Sequence, residues 1–223
     1  MNFALLGDDP AVLPIVRAIA ADPSHALLWA AHVGRLEPDV LRLAPNVQIA
    51  DDWPDLAGCE AVIVSGDGDA ALEGARRLAT EELPLLLVPH PGQGSSLVYE
   101  LTLIRDESRG LLQPALPLRQ HPAIAALKRR LAAGAVGRVL HLQFERVLSG
   151  NEPTTTLLSP RDIDGALLFD ADVLRHLGGD YERVTASRSG EADGKFSVAT
   201  TTLAGDDLPT ALWTVRAEGG RVG

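Results

Sequence analysis

The feature that most constrains the fold is the beginning of the chain, where an apolar run, a glycine and an amphipathic segment follow one another. Phe3 to Leu6 is short and apolar, as expected of a strand buried on both faces of a parallel sheet. Gly7 provides a turn, Asp9 can cap a helix, and Pro10 suits the first helical position. Apolar side chains then recur at helical spacing, at Val12, Ile15, Val16 and Ile19. This order of strand, turn and helix is typical of nucleotide-binding α/β folds.

The same stretch departs from the dinucleotide-binding fingerprint G-x-G-x-x-G, because only its first glycine, Gly7, is present. Asp9 and Val12 stand at the other two glycine positions, and Asp8 adds a second carboxylate. Carboxylates at a helix N-terminus suit the helix dipole, but they occupy the electropositive end that would receive a phosphate. Two interpretations therefore stand: a working phosphate site, and a well-capped first helix that holds no ligand.

Composition limits the classes of protein to which the chain can belong. Its 223 residues allow one large or two small domains, and 46% hydrophobic residues predict a packed core. A net charge of −10 argues against nucleic acid or an anionic membrane as partner. The single cysteine, Cys59, excludes an internal disulfide, and no signal-peptide pattern precedes the first strand, so we expect a cytoplasmic protein. The histidines share no ligand spacing, so we expect no metal site.

Strand-like and helix-like segments alternate over the first half of the chain. Cys59 to Ser65 is apolar and rich in β-branched residues, which predicts a central strand, and Pro84 to Val88 predicts another. The alternation predicts a Rossmann-like, doubly wound parallel sheet over residues 1–120. The ends of its strands bring a set of candidate ligand-binding residues to one edge of the sheet, namely Gly7, Ser65, Gly66 and His90.

The end of the second predicted strand bears on the choice of cofactor. In dinucleotide folds an acidic residue there binds the ribose hydroxyls. This chain has His32 at the tip and no carboxylate before Glu37. Arg35 would favour the 2′-phosphate of NADP. The sequence is equally consistent with an Arg35 that lies at the surface and contacts only water. The sequence therefore does not choose between NAD and NADP.

The pattern changes near residue 120, where polar and apolar residues begin to alternate. Arg138 to Arg146 alternates and predicts a half-buried antiparallel strand. Further strands are predicted over 181–187, 195–203 and 210–218, with a hairpin turn at Gly205–Asp207 and a helix over 165–177. Residues 121–223 are thus predicted to form an α+β domain with a mostly antiparallel sheet. Its last strand needs a partner, so we expect either a fragment of a longer chain or a homo-oligomer formed through this sheet.

Five segments in order carry a resemblance that covers the whole chain. Cys59 to Val64 is similar to a D-A-V-x-V strand, Leu85 to Pro91 to a strand ending in E-K-P, and Leu118 to Pro122 to an R-x-x-P segment. Residues 127–139 are similar to L-x-x-G-x-I-G-x-V, and residues 165–179 to a G-x-L…H-x-x-D helix. Together they resemble the Gfo/Idh/MocA oxidoreductases, the family of glucose-fructose oxidoreductase and inositol dehydrogenase.

The resemblance implies a Rossmann domain that binds NAD or NADP, followed by a domain that binds a small, sugar-like substrate. Members of the family move a hydride between a nicotinamide and a carbon that bears a hydroxyl. The resemblance places His90 where the family has the lysine of E-K-P, and Phe169 where it has the histidine of H-x-x-D. Asp172 matches the aspartate of that helix, and Arg119 the arginine of R-x-x-P.

These matches give the candidate site. The catalytic candidates are His90 and Asp172, and Arg119 is the candidate substrate contact. The candidates for binding the cofactor are Gly7, Asp8, Asp9, His32, Ser65, Gly66 and His90. Asp9, His90 and Phe169, which replace residues of the family motifs, are equally suited to structural roles. The alternative hypothesis is therefore a non-catalytic relative that binds a metabolite or a partner chain.

Overall fold

The computed structural model describes residues 1–52, 56–81, 83–90, 93–107, 110–148, 158–190 and 195–217. The chain forms two compact units, Met1–Ala115 and Leu116–Gly223, and each is described by itself. Pro91 of the E-K-P-like segment and residues 218–223 lie outside the described residues. No helix among the described residues is long and apolar enough to cross a membrane.

The first unit alternates strands and helices, as the sequence predicts. Its strands are β1 (Asn2–Leu6), β2 (Ala26–Ala31), β3 (Gln48–Ala50), β4 (Ala61–Val64), β5 (Leu85–Leu87) and β6 (Leu112–Pro114). Its helices are α1 (Leu13–Ala21), α2 (Glu37–Leu43), α3 (Asp69–Thr80) and α4 (Gly94–Glu107). Short 3-10 turns at Pro10–Val12 and Gly34–Leu36 lead into α1 and α2.

These six strands form one parallel sheet in the order β3-β2-β1-β4-β5-β6. The strand order reverses between β1 and β4, and a crevice at such a switch point is where open α/β sheets bind ligands. The predicted Rossmann-like fold is confirmed. The sheet brings the carboxyl ends of β1, β4 and β5 side by side, and those ends carry most of the candidate site.

Helices cover both faces of this sheet. Leu5 and Ile63 pack on one side with Val12 of the first 3-10 turn, Val16 of α1 and Val40 of α2. Ala4 and Leu6 pack on the other side with residues of α3 and α4, namely Leu78, Leu97 and Leu101. Successive residues of a strand point to opposite faces, and here both faces are buried. This explains why β4 and, after Asn2, β1 are apolar at every position.

The second unit combines two helices with a four-stranded sheet. A 3-10 turn at Pro117–Gln120 leads into α5 (Pro122–Ala132). The remaining elements are β7 (His141–Leu148), α6 (Pro160–Gly178), β8 (Arg183–Ser189), β9 (Val198–Ala204) and β10 (Thr210–Ala217). A capping box starts α6: the Ser159 hydroxyl accepts from the amide of Asp162 at 3.2 Å, and the Asp162 carboxylate accepts from the amide of Ser159 at 2.8 Å.

The second sheet has the order β7-β10-β9-β8 and is mostly antiparallel, as predicted. The prediction that the strand at 138–146 is antiparallel is wrong, because β7 runs parallel to β10, from His141 opposite Thr210 to Leu148 opposite Ala217. The sequence shows alternation because β7 is exposed at every second residue. Alternation reports that one face is covered, and it carries no information about the direction of the neighbouring strand.

The core of the second unit lies between one face of this sheet and α6. Its largest member is Trp213 of β10, which is fully buried. Around it pack further residues of the sheet and of α6, namely Ala199, Leu203, Val215, Ile163 and Leu174. Every residue of β8, at the edge of the sheet, is exposed.

Candidate functional site

The turn after β1 admits only glycine at position 7. Gly7 has a φ of +105°, and a Cβ there would lie 1.8 Å from the carbonyl oxygen of Ser65. The amide of Gly7 donates to the carbonyl of Ala31 at 3.0 Å. The ends of β1, β2 and β4 therefore meet closely at this point, and the packing of the strands alone accounts for the glycine.

Asp9 uses the amide groups at the beginning of the first helix. Its Oδ1 accepts from the amide of Ala11 at 2.9 Å, and its carbonyl accepts from the amide of Val12 at 3.1 Å. The amide of Leu13 donates to the carbonyl of Pro10, and Pro10 itself has no N–H. The amides of Ala11, Val12 and Leu13 are thus satisfied by the chain itself, although a phosphate at a helix N-terminus uses such donors.

His90 follows β5 and lies between two carboxylates. Its Nε2 is 3.9 Å from Oδ2 of Asp9, and its Nδ1 is 3.6 Å from Oδ2 of Asp67. The imidazole is largely buried, with 18% of its side chain exposed. The structure thus brings together two of the predicted residues, Asp9 and His90. An imidazole is a side chain that enzymes use as a general acid or base.

Gln93 holds the segment that carries His90. Its side chain is buried, and its Nε2 donates to the carbonyls of Gly66 and Val88, each at 3.0 Å. Its Oε1 accepts from the amide of His90 at 3.1 Å. Sequence reasoning missed Gln93, because a polar residue among prolines and glycines looks like part of an exposed loop. A single buried amide has no periodic signal that would reveal it.

Ser65 and Gly66 follow β4 directly. Both are predicted to bind the cofactor. Ser65 is fully buried, and its hydroxyl has no hydrogen-bond partner among the described residues. Gly66 has a φ of +85°, and a Cβ there would lie 3.2 Å from Oδ1 of Asp8. The exposed side chain of Asp8 also approaches Gly34, where a Cβ would lie 3.5 Å from its Oδ2. Asp8 therefore lies over the glycine-lined ends of β2 and β4.

His32 follows β2 and has a φ of +52°. Residues other than glycine seldom adopt this left-handed conformation, although histidine does so more readily than a β-branched residue. The side chain is half-buried. His32 takes the place of the acidic residue that dinucleotide folds use for the ribose hydroxyls.

The structure brings Arg119 and Asp172, in the second unit, together as partners. Nε of Arg119 lies 2.8 Å from Oδ2 of Asp172, and Nη2 lies 2.5 Å from Oδ1. Hydrogen bonding to Asp172 raises the pKa of the Arg119 guanidinium. Both carboxylate oxygens are engaged, so the pair fastens the Pro117–Gln120 turn to α6. This geometry favours an anchoring role for Asp172 over proton transfer.

The second unit also contains a cavity of about 530 Å³. It is lined by residues of the Pro117–Gln120 turn, β7 and α6, namely Pro117, Leu118, Arg146, Leu148, Asp162, Gly165, Ala166 and Phe169. The four α6 residues have the spacing of one helix face. Gly165 and Ala166 have almost no side chain, which opens the concave surface. The lining is mainly apolar and includes one cation, Arg146, and one anion, Asp162.

A buried carboxylate fixes Arg146 in the wall of this cavity. Asp170 is fully buried and accepts from Nε of Arg146 at 2.7 Å, from Nη2 of Arg146, and from the indole N–H of Trp213 at 2.9 Å. The hydrogen bonds to Asp170 raise the pKa of Arg146. Nη1 takes no part in these bonds to Asp170. Sequence reasoning selected Asp172 on this helix and missed Asp170, two positions earlier.

At the switch point of the first unit, the backbone favours the binding of a dinucleotide and two side chains oppose it. Gly7 and Gly66, which follow β1 and β4, have no side chains and leave the backbone bare where a pyrophosphate would approach. The carboxylates of Asp8 and Asp9 stand where its negative charge would lie. Among the described residues, no group of three or more His, Cys, Asp or Glu side chains is placed to hold a metal ion.

Comparison with solved structures finds the same fold in several oxidoreductases. An oxidoreductase from Agrobacterium radiobacter, in complex with NAD⁺, L-tartaric acid and magnesium, is 18% identical, with a TM-score of 0.78 over 99% of this chain and 68% of its own. Levoglucosan dehydrogenase, in complex with NADH and levoglucosan, is 17% identical, with a TM-score of 0.78 over 97% of this chain and 66% of its own. The WlbA dehydrogenase from Chromobacterium violaceum, in complex with NADH and UDP-GlcNAcA, is 13% identical, with a TM-score of 0.79 over 97% of this chain and 67% of its own.

No protein-family model matches the sequence, and no curated protein matches it. The chain spans about two thirds of the length of these three structures, from 66% to 68%. The structural neighbours are oxidoreductases of the Gfo/Idh/MocA type, so the resemblance drawn from the sequence is confirmed at the level of the fold.

Proposed function

We propose that this chain is an NAD(P)-dependent oxidoreductase of the Gfo/Idh/MocA type that acts on a hydroxyl of a sugar or polyol. The observation that carries the proposal is His90 at the switch-point crevice of this fold, between Asp9 and Asp67. Neighbours with the same fold have been crystallised with NAD⁺ or NADH and, in one case, with levoglucosan. Because function depends on the residues of the site, the proposal needs a direct test.

The proposed roles divide between the two units. A bound nicotinamide would supply the hydride acceptor or donor. We assign residues 1–120, which comprise the first unit and the Pro117–Gln120 turn, to cofactor binding: the Gly7 turn and Gly66 admit the dinucleotide, and His90 moves the proton of the substrate hydroxyl. Residues 121–223 are proposed to bind the substrate.

The cavity of the second unit suits a neutral, hydroxylated ring. Nη1 of Arg146 can donate to a hydroxyl, the carboxylate of Asp162 can accept from one, and Phe169 offers an aromatic face to the apolar side of the ring. The buried Asp170 balances the charge of Arg146, so the cavity has no net positive charge that would select an anion. In this proposal Arg119 and Asp172 support the cavity from the adjoining turn.

Two further assignments belong to the proposal. Copies of the chain associate through the sheet of the second unit, because the edge strand β8 is exposed along its whole length. The protein works in the cytoplasm, as the single cysteine indicates.

The test is a thermal-shift series of the purified protein with NAD⁺, NADH, NADP⁺ and NADPH. A ligand that binds only the native state raises the melting temperature in proportion to the logarithm of its concentration above Kd. We expect such a rise with one pair of dinucleotides, followed by NAD(P)H formation on addition of a sugar or polyol and its loss in His90→Ala. No shift with any of the four at millimolar concentration would contradict the proposal.

One observation favours a second candidate function. The carboxylate of Asp9 fills the helix N-terminus that a pyrophosphate would use. A relative that has lost the cofactor would keep the fold and bind a metabolite in the cavity of the second unit. A thermal shift with polyols and none with dinucleotides would support this candidate.

A further inference from the structure

We propose that Asp9 acts as an internal competitor of the dinucleotide phosphates and sets the affinity of the crevice for the cofactor. This inference rests on the proposed function, because it concerns the same crevice. The side chain of Asp9 would then decide between the two candidate functions, an NAD(P)-dependent enzyme and a relative that binds only a metabolite.

The first argument concerns hydrogen-bond donors. Of the amides that begin the helical segment, that of Ala11 donates to the side chain of Asp9, and that of Val12 donates to its carbonyl. Residue 10 is proline and offers no donor. A phosphate that binds the amide of Ala11 therefore has to displace the carboxylate of Asp9 from it.

The second argument concerns charge. The side chain of Asp9 is only 14% exposed, so its charge is poorly screened by solvent. Its second oxygen lies 3.9 Å from Nε2 of His90, which links the carboxylate to the proposed catalytic group. Asp8, by contrast, is exposed and can turn into solvent. Of the two aspartates, Asp9 is thus the one whose negative charge repels the phosphates of the dinucleotide.

Two variants separate the charge of Asp9 from its hydrogen bond. Asp9→Gly restores the second glycine of the fingerprint, releases the amide of Ala11 and removes the charge. Asp9→Asn removes the charge and keeps an oxygen that can cap Ala11. Asp22→Asn is the matched control, because Asp22 also accepts from an amide two residues ahead, that of Ser24, at 2.9 Å. The control changes the net charge of the chain as Asp9→Asn does.

The measurement is the Kd for NADH, determined from the rise in NADH fluorescence, with circular dichroism to verify that each variant is folded. We expect Asp9→Gly to lower the Kd by about tenfold or more, because it frees a donor and removes a nearby like charge. Asp9→Asn should lower it by a smaller factor, and Asp22→Asn should leave it unchanged.

The outcomes separate this inference from the proposed function. Tighter binding in both Asp9 variants supports the inference, whether or not the native chain binds. If only the variants bind, the inference stands and the native chain loses its assignment as an NAD(P) enzyme. If the native chain and Asp9→Gly bind equally, the inference is overturned and the proposed function stands. If no folded variant binds NADH, both are overturned.

Discussion

Two aspartates, one in α6 and one just after it, show how strongly the surroundings of a residue decide its role. Asp170 is fully buried with Arg146 and Trp213, whereas Asp180, just beyond the helix, pairs with Arg175 in solvent. Asp170→Asn leaves a partly buried guanidinium without its counter-ion. We expect the free energy of unfolding to fall by about 3 kcal/mol, as measured by urea denaturation.

The control for that loss is Asp180→Asn. Its pair with Arg175 is similarly short, at 2.5 Å, but 58% and 85% of the two side chains are exposed. An exposed pair of this kind contributes less than about 1 kcal/mol. Equal losses in the two variants would show that Asp170 is not the buried centre of a network.

Tyr181 provides a prediction about pH. Its hydroxyl is buried without a hydrogen-bond partner among the described residues, and burial raises its pKa above the ordinary value of 10.0. The chain has two tyrosines, so the difference in tyrosinate absorbance between the native protein and Tyr181→Phe isolates this residue. We expect a midpoint above pH 10, and a midpoint at or below 10 would contradict the burial of the hydroxyl.

The sign of the effect on stability follows from the same shift. Below about pH 10 Tyr181 is neutral in both the folded and the unfolded chain. As the pH rises from there toward the raised pKa of the folded state, only the unfolded chain loses the proton, so stability falls. Tyr181→Phe should therefore be less sensitive to alkaline pH than the native protein.

At the scale of elements, Gln93 joins the end of β4 to the segment after β5. Gln93→Ala leaves the carbonyls of Gly66 and Val88 and the amide of His90 without these partners. We expect a loss of about 2 kcal/mol in the free energy of unfolding and faster hydrogen exchange at the amide of His90.

An exposed glutamine gives the comparison. Gln113 of β6 also donates from Nε2 to a backbone carbonyl, that of Pro114, at 3.0 Å. Because Gln113 is exposed, water can replace that bond, and Gln113→Ala should change neither quantity measurably. Unchanged exchange at His90 in Gln93→Ala would mean that Gln93 does not position this segment.

The sequence predicts elements well where burial is periodic or continuous. The apolar runs of β1 and β4 and the amphipathic α1 gave the first unit, because a two-sided sheet needs apolar residues at every strand position. The direction of β7 was predicted wrongly, because alternation reports exposure alone. Contacts between distant residues, such as Arg146 with Asp170 or Gln93 with Gly66, leave no local pattern.

At the scale of the whole molecule, the candidate site depends on how topology collects residues. Asp9, Asp67 and His90 are far apart in sequence and meet because β1, β4 and β5 are neighbours in the sheet. The alternation of elements implied a parallel sheet whose strand ends share one edge, so Gly7, Ser65, Gly66 and His90 could be placed there, but it did not fix the strand order. That Asp9 would cap Ala11 and that Asp172 would pair with Arg119 required side-chain geometry.

The proposed function depends above all on the binding of a nicotinamide dinucleotide to the first unit. The most direct test is energy transfer to NADH on titration of the native protein, with excitation of tryptophan, because Trp29 lies on β2 of the parallel sheet. We predict saturable quenching of tryptophan emission together with enhanced NADH emission, both reversed by an excess of NAD⁺. Titration to millimolar NADH with no saturable change in either signal would contradict the account.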